Sequence, residues 1–459
     1  MKSLLNLKDM IKPNCLLINP WIYDFAAHDF WAKPLGLLYI AAWLRANNWK
    51  IYIIDCLNPH HPQMPFEPQV RLAIRKHNGT GKFFRQLIPK PSFFQHVPRN
   101  YYRYGLTYRL FLKELSRIPK PDVILVTSAM TYWYPGVFAT IGVCKKKWPH
   151  VPVILGGIYA TVCYDHAVKY SKADVVVKGP AEITLPSILE KITSSKWTYI
   201  PQLKYHSDSP YPAFDLLSPL DYVCILTSRG CPFHCAYCAS NLLFPFFYQR
   251  PPEDVVKEIL FWHQKFNVKE FAFYDDALLV NSEQHAIPLF KMLVKKKINA
   301  NFHTPNGLHA RFITAQIAKL MYQAGVKTVR LGLETSSHKR YDQKLTREEF
   351  IQGIHYLLEA GFTPRQIGAY ILIGLPEQPL SEIEETITFV QKLGITPRLA
   401  EYSPIPGTKL FNKAISNSQY DLINEPLTHN NSLLPCASKM LSLKVFNKLK
   451  RKIWHTSCI

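Results

Sequence analysis

The chain has 459 residues, 47% of them hydrophobic and 19% charged, which excludes a disordered or collagen-like chain and suits two or three domains. No uncharged apolar run reaches about 18 residues, so a membrane-spanning helix is not expected; Asp9 and Lys12 interrupt the opening segment where a secretory leader would be apolar, and a cytoplasmic protein is expected. The 55 Lys and Arg outnumber the 33 Asp and Glu, a formal +22 that favours nucleic acid, phosphorylated cofactors or a membrane surface without choosing among them.

From the amino terminus, β-branched-rich runs bounded by polar, Gly or Pro residues predict strands at Cys15–Pro20, Lys50–Cys56, Val123–Ala129, Val151–Gly157 and Ala173–Gly179. Helical patterns fall between them near 34–47, 135–147, 159–170 and 181–194. Buried strands spaced by helices predict a doubly wound parallel sheet over residues 1–200, whose ligands would sit at the carboxyl ends of the strands.

Residues 57–122 are longer than a crossover needs. Within them, residues 71–120 hold twelve Lys and Arg against the single acid Glu114, half the net charge of the chain, with nine aromatics interleaved. Three readings stand: a lid or cofactor clamp, a nucleic-acid surface of cations and stacking faces, or a solvated excursion. Residues 201–220 read as a polar linker.

A second alternating series follows over 221–410. Strands are predicted at Val223–Arg229, Glu270–Asp276, Asn301–Pro305, Thr328–Glu334, Gly368–Gly374 and Pro397–Ser403, with five helices between them. Thr314 and Gly325 bound one helix, and Ser381 with Glu384 predicts a capping box on another. Strict alternation of six strands implies a (β/α)6 partial TIM barrel. The helical extension 411–459 carries the basic stretch Lys439–Lys452, whose Leu443, Phe446, Leu449 and Ile453 at helical spacing predict packing rather than an anionic-surface contact.

Of ten cysteines, seven are scattered, and Cys231, Cys235 and Cys238 form a C-x3-C-x2-C cluster after the first strand of the second series. Three thiolates can hold three irons of a [4Fe–4S] cluster and leave the fourth open to a ligand. Zinc, which wants four ligands, and three unconnected thiols are the alternatives.

The segment Ser228–Ser240 (SRGCPFHCAYCAS) resembles the signature of the radical S-adenosylmethionine (SAM) enzymes. The resemblance implies a [4Fe–4S] cluster on Cys231, Cys235 and Cys238, SAM chelated at the open iron, and one-electron cleavage of SAM to a 5′-deoxyadenosyl radical. It further implies SAM contacts from Tyr237, from Asp275 and Asp276 at the end of FAFYDD, from Glu334 in LGLETS, and from Gly374 and Glu377 in LIGLPE. The amino-terminal series resembles the cobalamin-binding (B12-binding) domain found in one branch of that family, through KPLGL, VTSAMTYWYPG, VILGGIYAT and VKGPAE. Ser128, Thr131, Tyr132, Gly156, Gly157 and Gly179 are the implied cobalamin contacts. The Asp-x-His-x-x-Gly motif that ligates cobalt through histidine is absent, since His28 follows Asp24 at another spacing.

The implied function is a cobalamin-dependent radical SAM enzyme, a C-methyltransferase, with a non-methylating cyclase or rearrangement enzyme and an RNA-modifying Fe–S protein as alternatives. Its partners would be a small-molecule or peptide substrate and an electron donor such as flavodoxin or ferredoxin, with nucleic acid the less favoured.

Overall fold

The computed structural model describes residues 12–337 and 345–456. Asp9 and Cys458 lie outside them. The chain divides into two compact units with the boundary between Leu220 and Asp221. Among the described residues no helix is long and apolar enough to cross a membrane.

In the first unit, β1 (Asn14–Asn19), β2 (Lys50–Asp55), β3 (Val123–Val126), β4 (Val153–Leu155) and β5 (Val175–Val176) form one sheet. Every pairing is parallel and the spatial order is β2-β1-β3-β4-β5. The order reverses between β1 and β3, the switch point where such sheets bind ligands. Cys15, Leu16, Leu17, Ile18, Val123 and Ile124 are wholly buried, as strands covered on both faces must be. The helical run 159–170 is divided at Cys163 into Ile158–Val162 and Tyr164–Tyr170. Residues 201–220 are not detached from this unit: the Ala213 N–H donates to Leu38 O at 3.0 Å, and Arg45 pairs with Asp215 at 2.8 Å.

The long connection 57–122 is folded rather than an excursion. Short strands Val70–Arg71, Arg85–Ile88 and Tyr101–Tyr104 join Ile22–Asp24 in one antiparallel sheet; Ile74–Arg75 and Gly81–Lys82 join His28–Asp29 in another. Helix Tyr108–Ser116 follows, its amino terminus capped by Thr107, which accepts from the Leu110 N–H. Phe83, Phe84, Phe94, Tyr101, Tyr102, Tyr104 and Phe111 are buried. Fully burying a large apolar side chain stabilises by roughly 1.5–3 kcal/mol, so these rings are the core of the insert and are not displayed as stacking faces.

In the second unit β6 (Val223–Ile225), β7 (Glu270–Phe273), β8 (Asn301–Leu308), β9 (Val326–Glu334), β10 (Ile367–Ile373) and β11 (Thr396–Glu401) lie in sequential order, all parallel, with β6 and β11 at the edges. Alternation along the strands buries Val329, Leu331, Ile367, Ala369 and Ile371 under the helices and turns Arg330, Gly332, Gly368 and Tyr370 to the opposite face. Thr314 caps its helix as expected, accepting from the Ile317 N–H. The expected Ser381–Glu384 box does not form. Pro379 holds that cap position without a side-chain bond, and the neighbouring Glu382 is turned inward to receive the Thr335 hydroxyl at 2.7 Å. A capping box occurs instead at Thr346 and Glu349. Phe446, Leu449 and Ile453 of the last helix are buried, as plain packing requires.

Candidate functional site

The loop after β6 brings three thiols to the surface of the second unit. Gly230 opens it with φ +74°, and a Cβ there would lie 2.0 Å from the Phe246 carbonyl oxygen, so only glycine fits. Cys231, Cys235 and Cys238 follow, all partly exposed, whereas Cys15, Cys56, Cys144, Cys163, Cys224 and Cys436 are buried. Burial pushes the Cys144, Cys163 and Cys436 thiols up to about 12, which keeps them protonated. The thiolate is the ligand and nucleophile, so these buried thiols are poor ligands, and the structure divides the cysteines by exposure. The Cys238 N–H donates to Cys235 O at 3.1 Å, and the Ser240 hydroxyl lies 3.2 Å from the Cys238 sulfur. Among the described residues no three His, Cys, Asp or Glu side chains converge on one ion. Three half-exposed thiols on a single loop fit a polynuclear cluster, whose cysteines bind separate irons.

The ends of β7 and β9 stand beside this loop. Tyr237 donates to Glu334, and its phenol is held far above its ordinary value by burial first, then by the charges of Glu334 and Cys235. Glu334 sits at φ +60° beside a register shift between β9 and β10. A non-glycine residue in that region is uncommon and marks a site worth testing for function. Asp276 is exposed and receives the Ser240 hydroxyl; the protein around it raises its carboxyl, and that hydrogen bond opposes the rise.

Asp275 has a different placement. One oxygen, Oδ1, accepts the Thr227 N–H at 3.0 Å, the Thr227 hydroxyl at 2.8 Å, the Ser228 hydroxyl at 2.6 Å and also the Ser228 N–H. Thr227 in turn meets His285 Nε2 at 2.7 Å. As the hydroxyl proton goes to Asp275, His285 is the donor, and burial holds that imidazole neutral, down to about 4. Oδ2 of Asp275 is buried with no partner. The side chain therefore anchors the segment entering the cysteine loop and leaves one oxygen for any ligand.

Gly374 turns the chain after β10 at φ +76°, and Glu377 is exposed at φ +58° with its carboxylate 2.7 Å from Lys413. Gln378 braces this turn, donating to Leu372 O at 3.0 Å. Sequence reasoning missed Thr227, Ser228, Ser240 and His285. The two serines flank the cysteines and carried a signal as short hydroxyl side chains beside a ligand loop; His285, far along the chain, carried none.

In the first unit, Gly157 has φ +100° and a Cβ there would lie 2.2 Å from Ser128 O. Ser128 is a brace: its hydroxyl donates to Gly156 O at 2.7 Å and accepts the Ala160 N–H at 3.2 Å. Thr131 and Tyr132 are buried, at 4% and 2% exposure, so protein already encloses the ring expected to contact cobalamin. Gly156 and Gly179 differ. A Cβ on Gly179 would meet nothing within 4 Å, and one on Gly156 only Val177 Cβ at 4.0 Å. Open space over bare backbone at the carboxyl ends of β4 and β5 is a cradle that fits part of a large cofactor.

Residues 225–390 match the model of the Radical SAM superfamily, and residues 111–189 that of the B12 binding domain. An uncharacterized methyltransferase of Pyrococcus horikoshii, PH0819, is 25% identical over 349 residues, 68% of this chain and 74% of the relative. The anaerobic magnesium-protoporphyrin IX monomethyl ester cyclase of Rubrivivax gelatinosus is 21% identical over 329 residues, 64% of this chain and 58% of the relative. A solved structure of the radical S-adenosylmethionine methyltransferase TsrM from Kitasatospora setae, with cobalamin and a [4Fe–4S] cluster bound, superposes with TM-score 0.64 at 15% identity over 92% of this chain and 85% of that one, a likeness of fold. The two matched models imply the cofactors: a [4Fe–4S] cluster and SAM for the second unit, cobalamin for the first. The thiol loop and the glycine cradle fit them, and the chain carries a radical SAM domain preceded by a B12-binding domain.

Proposed function

We propose that the protein is a cobalamin-dependent radical SAM C-methyltransferase. The observation that carries this reading is a loop of three partly exposed thiols at the carboxyl end of β6 in a chain that also holds a B12-binding domain. The cofactor set supplies one-electron cleavage of SAM to a 5′-deoxyadenosyl radical and delivery of a methyl group. Cys231, Cys235 and Cys238 hold the cluster. Asp275 fixes the entry to their loop through Thr227 and Ser228. Tyr237, Glu334, Asp276 and the free oxygen of Asp275 line the SAM position, with Gly374 and Glu377 at its adenine side. Gly156, Gly157 and Gly179 present bare backbone to cobalamin, with Ser128 bracing them and Thr131 and Tyr132 packed behind. The substrate is a small molecule or peptide, and an external electron donor such as flavodoxin or ferredoxin reduces the cluster. Reduced ligand thiols suit a cytoplasmic protein.

The cyclase relative gives a second reading, radical chemistry without methyl transfer. Anaerobic reconstitution with cobalamin and SAM separates the two. Equal 5′-deoxyadenosine and S-adenosylhomocysteine identify a methyltransferase. Deoxyadenosine alone supports the second reading, and absence of both products sinks the two together.

A further inference from the structure

Gly368 stands at the second position of β10 with φ outside the left-handed region, so its backbone would suit any residue. A glycine inside a strand then marks a close approach. A Cβ there would lie 3.2 Å from Cγ of Arg398, 3.3 Å from Cδ of Arg330 and 3.4 Å from Nη1 of Arg330. Two long cationic side chains from the strands on either side pass over its bare backbone, Arg398 with its methylene stem and Arg330 with its guanidinium end.

Arg330 Nη1 donates to Val329 O and Gln366 O, both at 3.0 Å, which turns the guanidinium toward the start of β10. Among the described residues no carboxylate pairs with Arg330 or Arg398. Burial pulls the Arg330 guanidinium down to about 10, and the charge of Arg398 adds to that fall. A largely buried cation with a second cation beside it and no counter-charge is relieved when an anion joins them. Tyr370, opposite Arg398 in the register, extends across the strands and donates its hydroxyl to Pro305 O at 2.7 Å. Its ring passes 3.5 Å from the Cβ position of Gly307, which lies against Gly332. Arg330 stands in the middle of β9, four residues before Glu334 at its carboxyl end. The arginine pair therefore lies nearer the start of the strands than the residues assigned to SAM.

We propose that Arg330 and Arg398 form a phosphate-binding site over Gly368, at the amino-terminal half of the six-stranded sheet. Guanidinium forks match an oxyanion's oxygens through paired N–H donors. Two cations match a phosphate, which carries close to two charges near pH 7, better than a carboxylate, which carries one. The ligand class is a phosphate ester or the free ion.

The test is calorimetric titration of the full-length protein with inorganic phosphate, methyl phosphate and acetate at one ionic strength. The site predicts one phosphate per chain, bound about tenfold or more tighter than acetate, and a further loss of about tenfold in each of Arg330→Gln and Arg398→Gln. The Arg398 side chain is exposed and makes no ion pair, so its variant keeps the fold. Lys295→Gln with Lys296→Gln, both exposed, removes two charges elsewhere and should change phosphate affinity less than about twofold. Equal binding of methyl phosphate assigns the site to an ester, and its rejection assigns it to the free ion. Acetate binding as well as phosphate overturns the proposal. So does unchanged affinity in the arginine variants, or an equal loss in the lysine control. SAM affinity should be unchanged in Arg398→Gln; its loss there would reassign the pair to SAM.

Discussion

Ser228 delivers its N–H and its hydroxyl to the same oxygen of Asp275, the hydroxyl at 2.6 Å, forty-seven residues along the chain. Ser228 stands three residues before Cys231, so a carboxylate at the end of β7 sets where the cysteine loop begins. With Thr227 held by the same oxygen, the first two strands of the sheet are joined by side chains above the point where their backbone pairing ends.

Removing that carboxylate strands two hydroxyls and two buried N–H groups. Asp275→Ala should cost about 3 kcal/mol or more and lower the iron retained after reconstitution, both measurable by denaturant unfolding and iron assay. Unaltered stability and iron content would show that the anchor is dispensable.

The same carboxyl makes a pH prediction. Burial pushes it from 3.8 up to about 6, against the pull of Ser228 and Thr227. The native state then holds its proton more tightly than the unfolded chain. Its contribution is fully present below about pH 4 and is lost as pH rises through about 6. A rise of this size corresponds to something on the order of 3 kcal/mol. Asp275→Asn cannot ionise, so the difference in unfolding free energy between it and the parent should move in the variant's favour from pH 4 to pH 7.5. A flat difference would mean that Asp275 does not change its protonation over that range.

The cluster assignment is tested by changing Cys231, Cys235 and Cys238 together to Ala. The parent should hold about four irons after reconstitution, as one three-thiolate cluster implies, and the triple variant should lose them along with all SAM cleavage. Retention of iron and cleavage by the variant would falsify the ligand assignment, and the six buried thiols, several pushed far up, are poor substitutes.

What was legible beforehand follows the range of the forces. Strands such as Leu16–Ile18 and Val123–Val126 declare themselves because burial on both faces demands continuous apolar runs, and the cysteine spacing is local chemistry. The insert was illegible because its strands are two to four residues long and two of its partners, Ile22–Asp24 and His28–Asp29, lie far upstream. Ser381 and Glu384 had the capping pattern, yet the buried contact of Glu382 with Thr335 fixed a different start. The role of Asp275 depends on Thr227 and Ser228 and cannot be read without the sheet pairing.

Several of the insert's cations are engaged within the first unit. Arg85 lies over Tyr102 with 4.6 Å to the ring centre, Arg103 over Trp21 at 5.5 Å and Arg99 over Phe25 at 5.8 Å. Such contacts contribute about 0.5–1 kcal/mol each at exposed sites. Reversing Lys82, Arg85, Arg99 and Arg103 to Glu should lower the stability of the first unit by about 2 kcal/mol or more and reduce cobalamin retention, while cluster iron stays unchanged. RNA binding should be weak in the parent. Tight RNA binding, with a salt slope that flattens by about 0.7–0.9 for each contact removed, would restore the nucleic-acid reading instead.

The glycine cradle separates cofactor contact from fold. Gly157 is demanded by the fold: its φ of +100° and the Ser128 oxygen 2.2 Å from a Cβ leave no room for a side chain. Gly157→Ala should therefore damage the unit whether or not cobalamin binds there. Gly156 lacks both constraints, with φ outside the left-handed region and nothing nearer than Val177 Cβ at 4.0 Å. Gly156→Leu should fold normally while its side chain fills the open space, so cobalt content after reconstitution should fall about tenfold or more, as steric exclusion from a preformed site requires. Cluster iron and 5′-deoxyadenosine formation should remain. In the parent, the cob(II)alamin resonance spectrum should lack nitrogen splitting from an axial histidine, because His28 is paired in the insert's strand with Lys82 and the ligating motif is absent. Full corrinoid binding by Gly156→Leu would move the cofactor elsewhere, and clear histidine coupling in the parent would require a ligand from outside that motif.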